Sequence, residues 1–170
     1  ANATVLFHAI EQKLGLQGSE ILAQVGRRQT LAFSYILFSK KKPNHEQLKI
    51  LLQYLDIFGL GKIRIVSISH ASKEATFEIK NCAVCLMKKK LFSQNATASN
   101  AFVEGVCRGI AELLFDEPMQ AKKTQCVTRN KDSCFVKTSK ILEKSQDPIL
   151  DGFTEKSFSV ADKRRLDNTQ

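Results

Sequence analysis

The sequence predicts an α+β fold in which helices pack on one face of a four-stranded antiparallel sheet. Apolar residues recur at the helical period of about 3.6 through the N-terminal part of the chain, and at a period of two in the segments that follow. The period-two segments come in two pairs, each joined by a short polar turn, which is typical of β-hairpins. The predicted order of elements is therefore α-α-α-β-β-α-β-β.

The first two predicted helices are separated at Gly15, because glycine favours helix ends. Ser19 opens the second helix, which runs to Ser39 and contains Gly26. A glycine inside a helix costs about 1 kcal/mol relative to alanine. Gly26 therefore indicates either close packing against a neighbour or a kink.

The third helix begins after Pro43. A proline disfavours helical geometry at the residue before it, so the preceding helix has to end by that point. Asn44 is a suitable N-cap, and Gln47 three positions later completes the pattern of a capping box. The helix ends at Gly59 and Gly61.

Four strands and one further helix complete the predicted domain. The first hairpin joins a strand around Ile63 to a second strand at Ala75–Lys80. The helix Ala101–Phe115 follows, and the second hairpin joins strands at about Met119–Thr128 and Cys134–Thr138. We therefore predict a domain over residues 1–140 and, where the composition turns polar, a C-terminal extension or tail over residues 141–170.

Composition argues against several classes of protein. With 43% hydrophobic and 25% charged residues in 170, the chain has an ordinary globular balance. Its most apolar stretch, Leu31–Phe38, is far shorter than the roughly 20 residues of a membrane helix, and no signal-peptide pattern is present. These features predict a cytoplasmic protein. The common nucleotide-binding and hydrolase motifs are missing, so we predict no enzymatic activity.

The net charge of +9 is compatible with two interpretations. Dispersed lysines and arginines can form a solvated surface, or they can bind an anionic partner such as a nucleic acid. Nucleic-acid binding needs clustered cations with aromatic residues for stacking. The chain has no tryptophan and two tyrosines, which weakens stacking on bases. A basic, zinc-stabilised nucleic-acid-binding or transcription-regulatory protein is therefore the alternative hypothesis and not the leading one.

Cysteine spacing is the best chemical signal in the chain. Cys82 and Cys85 form a Cys-x2-Cys pair at the end of the second predicted strand, and Cys126 and Cys134 flank the turn of the last hairpin. Strand ends and turns allow thiolates to converge, and four thiolates suit Zn²⁺. Two other interpretations remain: four small buried residues, or a redox pair at Cys82 and Cys85. A fifth cysteine, Cys107, is predicted to be a buried thiol within a helix.

The segment from the last helix to the second hairpin resembles the 4-vinyl reductase (hydrocarbon-binding) domain family. It has a Gly-x3-Gly helix, a strand that ends in cysteine, a turn, and a second cysteine followed by an aromatic and a β-branched residue. The residues that carry this pattern are Gly105, Gly109, Cys126, Cys134, Phe135 and Val136. The N-terminal helices look similar as well, so the resemblance covers roughly residues 1–140.

This resemblance implies a small-molecule-binding domain related in fold to subunits of the TRAPP vesicle-tethering complex. Members of the family include sensor domains of bacterial phenol- and toluene-responsive activators. It further implies a lipophilic or aromatic ligand, a homodimer formed through the N-terminal helices, and a partner regulatory protein or DNA-binding domain.

In the phenol sensors, as the resemblance implies, a structural zinc is held by the cysteine pair, a carboxylate three residues earlier, and a cysteine ahead of the helix. Here those two other positions fall near Lys123 and Asn100, which supply neither a thiolate nor a carboxylate. Cys82 and Cys85 can supply the missing ligands, and this is our own inference.

The leading hypothesis is a non-enzymatic binding or sensor domain, with a regulatory role and a structural zinc. Its pocket would need apolar walls. In sequence, however, an apolar lining residue cannot be distinguished from an ordinary core residue. The candidate lining residues are Phe33, Ile36, Phe77, Ile79, Phe102 and Val106.

Overall fold

The computed structural model describes residues 2–39, 43–92, 100–129 and 131–141, and it has the predicted α+β architecture. The predicted C-terminal extension lies outside the described residues from position 142 onwards. The helices are α1 (Asn2–Phe38), α2 (His45–Leu55), α3 (Ala83–Phe92) and α4 (Ala101–Phe115). The strands are β1 (Lys62–Ser69), β2 (Glu74–Lys80), β3 (Met119–Gln125) and β4 (Ser133–Lys140). A π-helical turn (Asp56–Leu60) follows α2, and a 3-10 turn (Val127–Arg129) follows β3.

The four strands form one antiparallel sheet in the order β1-β2-β4-β3. Ile63, Ile79 and Cys134 are aligned across three neighbouring strands, and all three are buried. Phe77 and Val136, two residues further along, are buried on the same side. Because side chains alternate between the two faces of a strand, this register gives the sheet one apolar face, on which the helices pack.

Helices α1 and α4 approach so closely that glycine is required at their contact. A side-chain carbon added at Gly105 would lie 1.9 Å from the carbonyl oxygen of Ala23, and one added at Gly26 would lie 2.1 Å from that of Phe102. The predicted role of Gly26 is thereby settled as close packing. An ion pair joins the same two helices, in which Arg27 donates to Glu112 at 2.6 Å.

The prediction of two N-terminal helices that are divided at Gly15 is confirmed. They form the two arms of α1, and Gly15 between them has a non-helical backbone with φ of +56°. Glycine tolerates this conformation because it has no Cβ, so the two helices meet at a kink with no loop between them.

Helix α3 was not predicted at all. Its sequence contains three consecutive lysines, Lys88–Lys90, and these make its apolar face weak. Lys88 is nevertheless only 4% exposed, because its ammonium donates at 2.5 Å to the carboxylate of Glu11 on α1. The contact partner that stabilises α3 is thus supplied by a distant part of the chain.

Among the described residues, no helix combines the length and the apolar character needed to cross a membrane. This includes α1, which has 37 residues but is bent at Gly15.

Candidate metal centre

The first cysteine pair lies where β2 passes into α3. Asn81 has a positive φ of 54°, which turns the chain sharply after the strand. Cys82 follows, and Cys85 lies in the first turn of α3. Gly61 packs against this turn so closely that a Cβ would lie 2.9 Å from the backbone of Cys82. The turn thus directs both thiols towards the interior, where both are fully buried.

The second pair belongs to the hairpin of β3 and β4. Cys126 directly follows β3, and Cys134 is the second residue of β4. The backbone N–H of Val127 donates to the sulfur of Cys134 at 3.5 Å. Since β4 pairs with β2 through Cys134 and Ile79, the hairpin brings its two thiols to the end of β2 from which the first pair emerges.

The sulfurs of the two cysteine pairs lie close together in the interior. The Cys126 sulfur lies 3.6 Å from the sulfur of Cys85 and 3.6 Å from that of Cys134. The sulfurs of Cys82, Cys85 and Cys134 all lie within 4.8 Å of one another. Four sulfurs placed tetrahedrally at about 2.3 Å around one zinc ion would lie about 3.8 Å apart. The two distances from the Cys126 sulfur are close to this spacing, and Cys82, Cys85 and Cys134 form a group of sulfurs that could hold a metal ion.

One thiol of the cluster, that of Cys85, is arranged to hold negative charge. The pKa of Cys85 is lowered by hydrogen bonds that its sulfur makes with Cys126, Cys134 and Cys82. The pKa of Cys134 is raised, and the largest cause is the hydrogen bond between its thiol and Cys126. A cluster that concentrates charge on one sulfur in this way is suited to a cation.

Two polar side chains reach the same sulfur from outside the cluster. The amide nitrogen of Asn100 lies 3.4 Å from the Cys85 sulfur, and the ammonium of Lys123 lies 3.7 Å from it. Burial opposes the charged form of Lys123, but the nearby sulfurs of Cys85 and Cys126 outweigh this effect and raise the pKa of Lys123. Both residues therefore act as hydrogen-bond donors that stabilise a thiolate at Cys85.

The roles of Asn100 and Lys123 were missed in the sequence. These are the two positions at which the chain departs from the ligand pattern that the sequence resemblance implies. Both can donate to sulfur, whereas a carboxylate or a thiolate there would add negative charge. One signal in the sequence could have indicated the role of Lys123. A positive residue stands where the implied pattern has a carboxylate, and the chain has an additional Cys-x2-Cys pair.

All five cysteines in the chain are free thiols. The separation of 3.6 Å between sulfurs in the cluster is far longer than the roughly 2.0 Å of a disulfide bond. Cys107 lies apart on α4, where burial raises the pKa of its thiol. Its pKa and burial make Cys107 inert, as predicted for a buried thiol.

The predicted ligand-lining residues fall into two groups. Phe77, Ile79, Phe102 and Val106 belong to the buried core. Phe33 is partly buried, with its ring stacked on Phe58 at 5.1 Å between centroids, and Ile36 is 72% exposed. The structure thus brings four of the six together in the core and places the other two towards the outer surface of α1.

Structural comparisons find the fold of this chain in other proteins. The phenol-responsive sensory domain of the transcription activator PoxR, solved with phenol, gives a TM-score of 0.65 at 13% identity. The match covers 82% of this chain and 73% of that one. A vinyl-4-reductase family protein from Methanocaldococcus jannaschii gives a TM-score of 0.50 at 16% identity, over 71% of this chain and 68% of that one.

A trafficking protein particle complex subunit 3 from Naegleria fowleri, covalently bound to palmitic acid, has a TM-score of 0.48 at 11% identity. That match covers 81% of this chain and 94% of the other. No protein-family model matches the chain, and a comparison with curated proteins finds no match either. The chain has the fold of the phenol-sensory and vinyl-4-reductase domains. The resemblance inferred from its sequence is thus confirmed at the level of the fold.

Proposed function

We propose that this chain is a non-enzymatic ligand-binding sensor domain that is stabilised by a structural zinc ion. The meeting of four buried cysteine sulfurs carries the zinc part of the proposal. A zinc ion held by four thiolates has no open position for water, so its role would be structural. It would join the β2–α3 turn to the β3–β4 hairpin and fix the end of the sheet.

The fold supports the sensor part of the proposal. The domain that gives the TM-score of 0.65 is a phenol-responsive sensory domain of a transcription activator. By analogy with it, we propose that this chain binds a lipophilic or aromatic small molecule. Occupancy would then be reported to a partner regulatory protein or DNA-binding domain. Fold analogy alone does not establish function, so ligand binding is the part to be tested first.

A lipophilic molecule is expected to co-purify with the zinc-loaded protein and to be detected by native mass spectrometry and solvent extraction. After delipidation, adding the extracted compound should raise the melting temperature, because a ligand that binds only the native state stabilises it. Absence of any bound lipophile, with zinc still present, would contradict ligand sensing. Salt-dependent binding of oligonucleotides instead would favour the nucleic-acid alternative.

We also propose that the chain forms a homodimer through an apolar face at the C-terminal end of α1. This face consists of Tyr35, Ile36, Tyr54, Ile57 and Phe58, which are all exposed. Ile57 is 81% exposed, and Phe58 lies 5.2 Å from Tyr54 between ring centroids. Large exposed apolar patches are typical of protein interfaces, and a second copy presents the same exposed apolar side chains.

The mass measured by light scattering during size-exclusion chromatography is expected to be that of a dimer. Ile57→Lys should shift it towards the monomer, because a charge would be buried in the interface. Leu16→Lys is the matched control, since Leu16 is 90% exposed on α1 at the Gly15 bend, about 30 Å from Ile36 along the helix. A monomer for the unmodified protein, or equal dissociation by both variants, would contradict this interface.

A further inference from the structure

A groove of about 500 Å³ runs between α2 and the edge strand β1. None of the four cluster cysteines and none of the six predicted lining residues lines it, although Ile63 and Ile65 pair with Ile79 and Phe77 across the sheet. Its volume is within the range of small-molecule sites, which is roughly 300–1,000 Å³. The apolar residues that line it are Leu48, Leu52, Ile63, Ile65, Val66, Ile68 and Leu114.

The charged residues that line the groove, Lys49 and Arg64, are both cationic. Its other polar residues are His45 and Ser67, and none of the residues that line the groove is acidic. An apolar trough with cationic side chains complements a molecule that has an apolar body and a negative head. It does not complement a neutral hydrocarbon in the same way, because these cations would gain no partner.

The cations already have partners, and one of these is readily displaced. Lys49 pairs with Glu46 at 2.9 Å, and both side chains are more than half exposed. Exposed pairs of this kind contribute little free energy, so a ligand carboxylate can compete with Glu46. Arg64 is held by Glu78, a side chain that is 7% exposed, and it keeps further donors for a second contact.

The shape of the groove favours an elongated ligand. Six consecutive residues of β1, from Ile63 to Ile68, line it. At about 3.3 Å per residue they extend for about 20 Å. An extended alkyl chain follows such a trough more closely than a compact ring does.

From the volume, the lining and the sign of charge, we propose that the α2–β1 groove binds an elongated lipophilic carboxylate. Its apolar chain would lie along β1, and its head would contact Lys49 and Arg64. This inference rests on the proposed function and names the site and the chemical class of its ligand.

Decanoate and its neutral counterpart decanol serve as probes for a test by ¹H–¹⁵N NMR on the zinc-loaded full chain. Decanoate is expected to shift the amide signals of α2 and of residues 63–68, and to bind about threefold to tenfold more tightly than decanol. Lys49→Gln should remove most of that preference. Glu46→Gln should increase the affinity for decanoate, because it frees Lys49 from its partner.

A second variant tests the apolar wall. Ile68 is 43% exposed, so Ile68→Glu is expected to fold and to weaken decanoate binding at least tenfold by placing a like charge in the groove. Val5→Glu is the matched control, because Val5 is 47% exposed on α1 and does not line the groove.

The outcomes separate this inference from the proposed function. Equal binding of decanoate and decanol, with no effect of Lys49→Gln, would overturn the preference for a carboxylate. Shifts confined to another part of the chain would overturn the groove as the site and leave ligand sensing intact. Failure of both probes, together with absence of a co-purifying lipophile, would overturn the groove and the proposed function alike.

Discussion

Protein purified without a chelator is expected to contain one zinc ion per chain, and Cys85→Ser is expected to abolish its binding. Cys85 is at the centre of the cluster, since the sulfur of Cys126 and the donors Asn100 and Lys123 all contact it. Structural zinc binding contributes an apparent 10–16 kcal/mol to folding in small zinc-binding peptides. Loss of zinc here should therefore cost several kcal/mol of unfolding free energy. Metal analysis and thermal melts with and without EDTA measure both effects.

Cys107→Ala is the matched control for this experiment. Cys107 is as deeply buried as the cluster cysteines, but it lies within α4 and outside the group of Cys82, Cys85 and Cys134. The variant should keep a full complement of zinc while losing some packing. Finding no zinc in the unmodified protein, with five thiols that react freely after unfolding, would refute the metal site. A reversible disulfide between Cys82 and Cys85 would instead support the redox interpretation.

Lys88→Met is expected to destabilise the protein by about 3–5 kcal/mol, as removal of one member of a buried ion pair generally does. The Lys88 ammonium lies 2.5 Å from the carboxylate of Glu11, and the two side chains are 4% and 9% exposed. Without the lysine, the Glu11 carboxylate loses this ion-pair partner in a poorly solvated site. Urea denaturation followed by circular dichroism measures the loss, and the zinc content should be determined in parallel, because α3 also carries Cys85.

Two further variants separate charge from packing. Lys90→Met changes an exposed lysine of the same helix and should have little effect. The double variant Glu11→Leu/Lys88→Met removes both charges and should recover much of the lost stability, because apolar replacements of buried ion pairs are often neutral. A double variant as unstable as Lys88→Met alone would show that packing, and not the orphaned carboxylate, causes the loss.

The proposed zinc site differs from the ligand pattern that the sequence resemblance implies. In the ligand pattern implied for the phenol sensors, two ligands come from positions that here are Lys123 and Asn100. In this chain both have become donors to the sulfur of Cys85. Four thiolates around Zn²⁺ leave two excess negative charges, and a lysine beside them compensates one. A carboxylate at position 123 would instead add a third negative charge to the site.

Local sequence signals predicted the elements whose stability is mainly local. The Asn44–Gln47 capping box forms as expected, and α4 has the predicted bounds. Both hairpins also form, since the alternation of apolar and polar residues specifies which face of each strand is buried. Helix α3 was missed, because its burial depends on Glu11, more than seventy positions away.

The candidate site could be predicted only in part, and for a similar reason. Cysteine spacing indicated which thiols could share a metal, because Cys-x2-Cys and turn-flanking pairs are local patterns. Asn100 and Lys123 had no such local signal, since each approaches Cys85 through a different element. The groove between α2 and β1 was not predicted, because its residues have the same apolar periodicity as the core.

The sequence by itself determined the α+β class, the caps and turns, and the set of cysteines available to bind a metal. These depend on backbone preferences and on periodicity within a few residues. Only the tertiary structure decided that Lys88 is buried, that Lys123 donates to a sulfur, and that Phe33 and Ile36 lie towards the surface. Each of these depends on which distant side chain lies opposite, and packing in three dimensions alone determines that.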